Sequence, residues 1–141
     1  MSTQEDDERR RQLKGVAEAY FRGLQQQDFA AIPYDEDVTL RAPLAPGGVN
    51  RPLVGKTALR TEWWQPLEPA LTGLRVRILD HYINETSTAI VTEAEVTITA
   101  LDPPVTLRVA DRFTASEDGK ILEQENHFDP RDVTNPGWQD A

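Results

Sequence analysis

In the second half of the chain the character of the side chains changes with a period of two residues through four successive runs, and this alternation limits the fold more than any other feature. The runs are Leu74 to Tyr82, Thr88 to Thr99, Val105 to Thr114 and Ile121 to Phe128, separated by Asn84-Glu85, by Leu101-Asp102-Pro103-Pro104 and by Glu117-Asp118-Gly119. A period of two belongs to strands, and short turn-forming separators predict an antiparallel meander. Because successive side chains take opposite faces, the uncharged set on each run names the buried face. In the second run Ile90, Thr92, Ala94, Val96 and Ile98 oppose Glu93 and Glu95, and in the fourth Leu122, Gln124, Asn126 and Phe128 oppose Glu123, Glu125 and His127. In the first run Val76 and Ile78 oppose Arg75 and Arg77.

The first half has a helical period. Leu13, Val16, Ala17, Tyr20, Phe21 and Leu24 form the stripe of an amphipathic helix from about Glu8 to Gln27, with residues 1–12 as a charged, solvated lead-in. Asp28 reads as the N-cap of a short second helix, Phe29 to Ile32, which Pro33 ends, with Tyr34 just past the stop. Val38 to Arg41 alternates like a strand, and Pro43 to Pro52, with three prolines and two glycines, is a loop suited to covering a site. A third helix is expected from Lys56 to about Leu67, with Leu59, Trp63 and Leu67 on one stripe and with Pro66 and Pro69 breaking it. Three helices followed by strands is an α+β order. Residues 131–141 read as a tail with Trp138 as its anchor.

Composition removes several classes of function. With 141 residues, 15 Lys plus Arg and 24 Asp plus Glu, the chain carries a formal charge of −9, which disfavours nucleic-acid partners. The length suffices for one domain that buries roughly 70% of its unfolded surface. There is no cysteine, and the two histidines, His81 and His127, are isolated, so no metal site is expected. The longest apolar run, Phe29-Ala30-Ala31-Ile32, is far short of the ~18 residues of a membrane span. Met1 to Gln12 lacks the apolar segment of a secretory signal, so the chain is expected to be soluble and cytoplasmic.

Within this pattern Asp111 is the anomaly. The face of the third run that holds Leu107, Val109 and Phe113 also holds Asp111, whereas Arg108 and Arg112 point the other way. An unpaired buried charge costs several kcal/mol, so Asp111 either finds a partner, sits at an exposed strand end, or is a functional carboxyl with a raised pKa. Gln124 and Asn126 face inward as well and need partners, for which mutual bonds, backbone or a ligand oxygen qualify. Trp63, Trp64, Tyr34 and Phe128 are available as an aromatic wall, although packing explains at least one of them. His81 and His127 fall on the charged outer face, where alternating charge and threonine fit a sheet-to-sheet homodimer. Asn84-Glu85-Thr86 matches a glycosylation pattern.

Taken in order, Ala19-Tyr20-Phe21, Asp28-Phe29, Asp37-Val38-Thr39-Leu40, Pro52-Leu53-Val54-Gly55, Asp111-Arg112-Phe113, Asp118-Gly119-Lys120-Ile121 and Phe128-Asp129 resemble the NTF2-like superfamily. That superfamily includes SnoaL-like polyketide cyclases, ketosteroid isomerases and limonene epoxide hydrolases. The resemblance implies one domain over residues 13–130, a cone of curved, mainly antiparallel sheet packed against three N-terminal helices around an apolar pocket. It matches Tyr20 to the isomerase tyrosine that donates to the developing oxyanion and Asp111 to the protonated aspartic acid beside it. Tyr34 falls near a second tyrosine that some isomerases bond to the first.

The isomerase base, an aspartate before a proline at the end of the first strand, is matched by Ala42 before Pro43 and is therefore missing. The epoxide hydrolase pattern, Arg-x-Asp on one strand and Asp on the last, is matched by Glu93-Ala94-Glu95 and Asn126, so that triad is missing too. What the resemblance implies is a cofactor-independent isomerase, cyclase or lyase for a small apolar, flat or cyclic carbonyl compound. Tyr20 and Asp111 are its implied catalytic pair, and Tyr34, Trp63, Gln124, Asn126 and Phe128 its substrate-binding residues. The alternative is a non-catalytic ligand-binding or dimerisation module, with epoxide hydrolysis third; no metal or organic cofactor is expected.

Overall fold

The computed structural model describes residues 3–134, and Trp138 lies outside the described residues. Helix α1 (Thr3–Gln26) is followed by a 3-10 turn (Phe29–Ala31), β1 (Tyr34–Arg41), β2 (Leu53–Val54), α2 (Lys56–Ala58), a π-helical segment (Leu59–Trp64) and α3 (Gln65–Leu71). Then come β3 (Arg75–Ile83), β4 (Ala89–Ile98), β5 (Val105–Ala115), β6 (Ile121–His127) and the short α4 (Arg131–Thr134). The strands form one curved sheet in the order β2-β1-β6-β5-β4-β3. The pairing is antiparallel except where β1 runs parallel to β6. The apolar stripe of α1 packs across β3, β4 and β5, which closes one side of the sheet. Among the described residues no helix is long and apolar enough to cross a membrane.

The inward sets of β4 and β5 are those the alternation names, and Leu107, Val109, Asp111 and Phe113 are all buried. Elsewhere the structure corrects the pattern. The charged lead-in is helical from Thr3, and Arg9 is docked rather than solvated, donating to the carbonyls of Ser87, Ala115 and Ser116. Asp28 stands at the N-cap position but makes no side-chain capping bond. The helical path from Lys56 continues past Pro66 and Pro69 to Leu71. Pro66 falls in the first turn of α3, immediately after the wider π segment, where a missing N–H is tolerated. The same π segment lets Trp63 and Trp64 both be buried, which a single α-helical stripe would not predict.

Two irregularities change the face of particular side chains. The register of β3 against β4 slips between Ile78 and Asp80, so Leu79 is an extra residue and the parity beyond it is reversed. His81, expected on the outer face, therefore stands opposite Thr92 on the helix side. Its Nδ1 lies 2.8 Å from Thr92 Oγ1 and its Nε2 4.0 Å from Glu18 Oε1 on α1. A second slip, between Thr114 and Ala115, buries Ile121 and leaves Leu122 exposed, the reverse of the expected parity.

Candidate active site

Between the helices and the inner face of the sheet lies a cavity of about 80 Å³. Helix α1 supplies Tyr20, Phe21 and Leu24, the π segment Trp63, and α3 Leu67, Ala70 and Leu71. The facing wall is Val96 and Ile98 of β4, Leu107, Val109 and Asp111 of β5, and Asn126 of β6, with Ala42, Leu44, Leu74 and Phe128 completing it. Among the described residues only Tyr20, Asp111 and Asn126 bring side-chain oxygens to this lining. Tyr20 is held by aromatic neighbours: its ring stacks on Trp63 at 6.5 Å between centroids and lies against Phe113 at 5.1 Å.

Behind the lining the polar groups are linked in a chain. The Tyr34 hydroxyl donates to Gln124 Oε1 at 2.7 Å, and Gln124 Nε2 donates to Asn126 Oδ1 at 3.1 Å. The amides of Asn126 and Gln124 also act on the Tyr20 hydroxyl, favouring its ionised form. Across the sheet, His81 faces Thr92, Thr92 faces Asp111 and Asp111 faces Asn126, one lateral row over four strands. Asp111 differs from the others in the row. Its Oδ1 is buried and has no hydrogen-bond partner among the described residues.

Burial pushes the Asp111 pKa up to about 8, opposed by a hydrogen bond from the His127 backbone N–H. The group is therefore mainly protonated at neutral pH and carries a proton to donate. Burial also raises Tyr20 well above an ordinary phenol, with the charges of Asp111 and Tyr34 adding to it, while the amides of Asn126 and Gln124 work the other way. Both side chains are thus neutral donors, and what they can hold is an oxygen that carries or develops negative charge.

Of the residues singled out from the sequence, Tyr20, Asp111, Trp63, Asn126 and Phe128 line the cavity, whereas Tyr34 and Gln124 form the bonded layer behind it. Trp64 packs on Phe29 instead, at 5.3 Å. Ala42 is in the wall, so a methyl group occupies the position matched to the isomerase base. Glu93 and Glu95 are on the outer face, Glu93 3.8 Å from Arg108 and Glu95 bonded to Arg77, and neither reaches the cavity. His127 is also outward, 3.3 Å from Glu125. Sequence reasoning missed Thr92 as Asp111's neighbour, although counting the register back from the turn between β4 and β5 would have paired them. It also missed Leu44 at the rim, which has no periodic signal. Among the described residues no three or more His, Asp and Glu side chains gather as a metal-binding group.

Known proteins share this architecture. SalBIII, an epoxide hydrolase/cyclase-like enzyme with a role in pyran ring formation in the polyether salinomycin, is similar at a TM-score of 0.71 and 20% identity, over 92% of this chain and 97% of that one. An NTF2-like protein from Anabaena variabilis is similar at a TM-score of 0.71 and 22% identity, over 92% and 95%. A Mycobacterium tuberculosis protein in complex with estradiol-17beta-hemisuccinate is similar at 0.65 and 11%, over 84% and 94%. No curated protein matches the sequence. Residues 17–124, which hold both Tyr20 and Asp111 and nearly all of the sheet, match the SnoaL-like domain, and the chain belongs to that family within the NTF2-like fold.

Proposed function

We propose that the cavity receives a small apolar carbonyl compound and that Tyr20 and Asp111 donate hydrogen bonds to its oxygen. They would stabilise the enolate or alkoxide through which isomerisation, aldol-type cyclisation or dehydration proceeds. The observation that carries this reading is the unpartnered Oδ1 of Asp111, buried beside Tyr20 in an apolar wall. A protonated carboxyl without a protein acceptor is complementary to a ligand oxygen that gains charge, and one such donor is worth ~3 kcal/mol in a transition state. The apolar ligand held by the Mycobacterium tuberculosis protein and the ring-forming role of SalBIII support an apolar organic ligand.

Phenols and naphthols mimic an enolate, and their binding, followed by ultraviolet absorbance and Trp fluorescence, tests the donor pair. Affinity should rise with phenol acidity and fall by about ten- to a hundred-fold in Tyr20→Phe and in Asp111→Ala. Equal affinity in wild type and both variants would defeat the reading. The pH dependence has a definite sign. A phenol acidic enough to be ionised throughout should bind more weakly as pH rises through about 8, because Asp111 then becomes an anion.

A second reading, ligand binding without turnover, is favoured by Ala42: among the described residues the lining holds no carboxylate apart from Asp111 to remove a proton. Ketones that bind through the donor pair and are returned unchanged would select it. If Asp111 is itself the base, turnover rises as pH passes about 8, the opposite of its dependence as a donor.

A further inference from the structure

We infer that the ligand has two parts, a compact oxygen-bearing head at Tyr20 and Asp111 and a flexible apolar chain that leaves past Phe128 into an open groove. This rests on the donor-pair reading above and adds the class of molecule. Size is the first argument. The cavity of about 80 Å³ is about half of the ~150 Å³ that a dry engineered cavity offers to benzene, so the head is at most a single ring, seated at the donors by its oxygen end with the remainder toward the mouth, rather than fused rings.

Continuity is the second argument. Asn126 and Phe128 line both this cavity and a second depression walled by Pro43, Gly48, Val49, His127 and Pro130. The segment between β1 and β2 gives one exposed apolar side chain to each compartment, Leu44 (41% exposed) to the inner and Val49 (37%) to the outer. The segment is held in place: Arg41 Nη1 donates to the Val49 carbonyl at 2.9 Å, and the Ala45 and Gly48 N–H groups bond Ala42 and Ala45 carbonyls at 3.1 and 2.9 Å. A pre-formed wall binds a chain without first being ordered. Among the described residues the one ionisable side chain of the groove, His127, lies 3.3 Å from Glu125, and Pro43, Gly48, Val49, Phe128 and Pro130 offer a chain only apolar side chains or none.

The test is a series of 4-alkylphenols from methyl to octyl, beside 2-naphthol and a phenolic steroid. Affinity should rise by up to about four-fold per methylene until the groove is filled, and the longer members should exceed both ring compounds. The ratio of octyl- to methylphenol affinity, taken within each variant, should fall by about ten-fold in Val49→Asp and in Phe128→Ala. Measurable methylphenol binding in the same variant shows that it is folded. A flat chain-length series with donor-dependent head binding intact overturns the two-part ligand and leaves the donor pair standing. So does a phenolic steroid that binds more tightly than octylphenol. A chain-length effect of the same size in a Tyr20→Phe, Asp111→Ala double variant is surface adsorption and also overturns it. Methylphenol affinity indifferent to both donors sinks the donor pair, and the two-part ligand with it.

Discussion

At Asp111 one residue joins sequence, energetics and proposed chemistry. Its alternation partners are Leu107, Val109 and Phe113, so the face it shares is legible in the amino-acid pattern alone, and the fold adds that it is buried there and that Oδ1 has no partner among the described residues. Folding raises its pKa from 3.8 to about 8, so between those values the folded protein holds a proton that the unfolded chain has released. Stability should therefore decline as pH rises from about 4 to about 8 and level off above, and Asp111→Asn should lack that decline. Urea denaturation of both proteins across the window measures it as a difference, which removes the background of the other carboxylates. A difference that does not change with pH would mean that the carboxyl is not desolvated. His81 shows the limit of the same reasoning, because Leu79 bulges out of register and turns the imidazole to the helix side, where burial lowers its pKa against the pull of Glu18. Lys14 on α1 pushes in the same direction as burial, and Asp80 in the direction of Glu18. Bulges depend on how two strands pair, and a single run of residues does not reveal its partner.

At the scale of elements, the stripe of α1 and the runs of β4 and β5 were readable because their periodicity is continuous. The first turns of α1 were not, since what orders them is distant in sequence. Arg9 donates to three backbone carbonyls, one on the turn before β4, one at the end of β5 and one on the turn after it, so Arg9→Ala should cost roughly 1–3 kcal/mol in chemical denaturation. An unchanged midpoint would show these bonds to be exchanged for water without loss. Gly23 gives a contrast of sign. Helix propensity alone predicts that Gly23→Ala stabilises α1 by up to about 1 kcal/mol. Yet a Cβ there would stand 2.6 Å from Ile32 Cγ1 and 3.2 Å from the Asp28 carbonyl, so the substitution should destabilise by roughly 1–3 kcal/mol. A thermal melt decides between packing and propensity. Asn84, part of a glycosylation pattern in sequence, has its amide engaged with Thr86, Thr88 and Ala89, where it shapes the turn between β3 and β4.

For the whole molecule, the face of the sheet away from the helices carries Arg77 with Glu95, Arg108 with Glu93 and Arg112 with Glu125, a Thr97–Thr106 contact, and the exposed Tyr82. We propose this face as the contact of a homodimer, since it offers self-complementary charge around an apolar side chain. Sedimentation should give twice the chain mass, and Tyr82→Arg should shift it toward the monomer. Sedimentation at the mass of one chain at every concentration would leave the face simply solvated.

The alternation of β4 and β5, the stripe of α1 and the turn residues between the runs were enough, by themselves, to establish the α+β order, the meander and the apolar face on which Asp111 stands. They act locally, through side-chain direction and burial, and need no knowledge of distant partners. The parallel pairing of β1 with β6, the faces of His81 and Leu122, the docking of Arg9 and the placement of Tyr34 and Gln124 behind the lining were decided only in three dimensions. Each depends on register and on contacts between residues far apart in the chain. The cavity belongs to that second group, because its volume is what remains once helices and sheet have met.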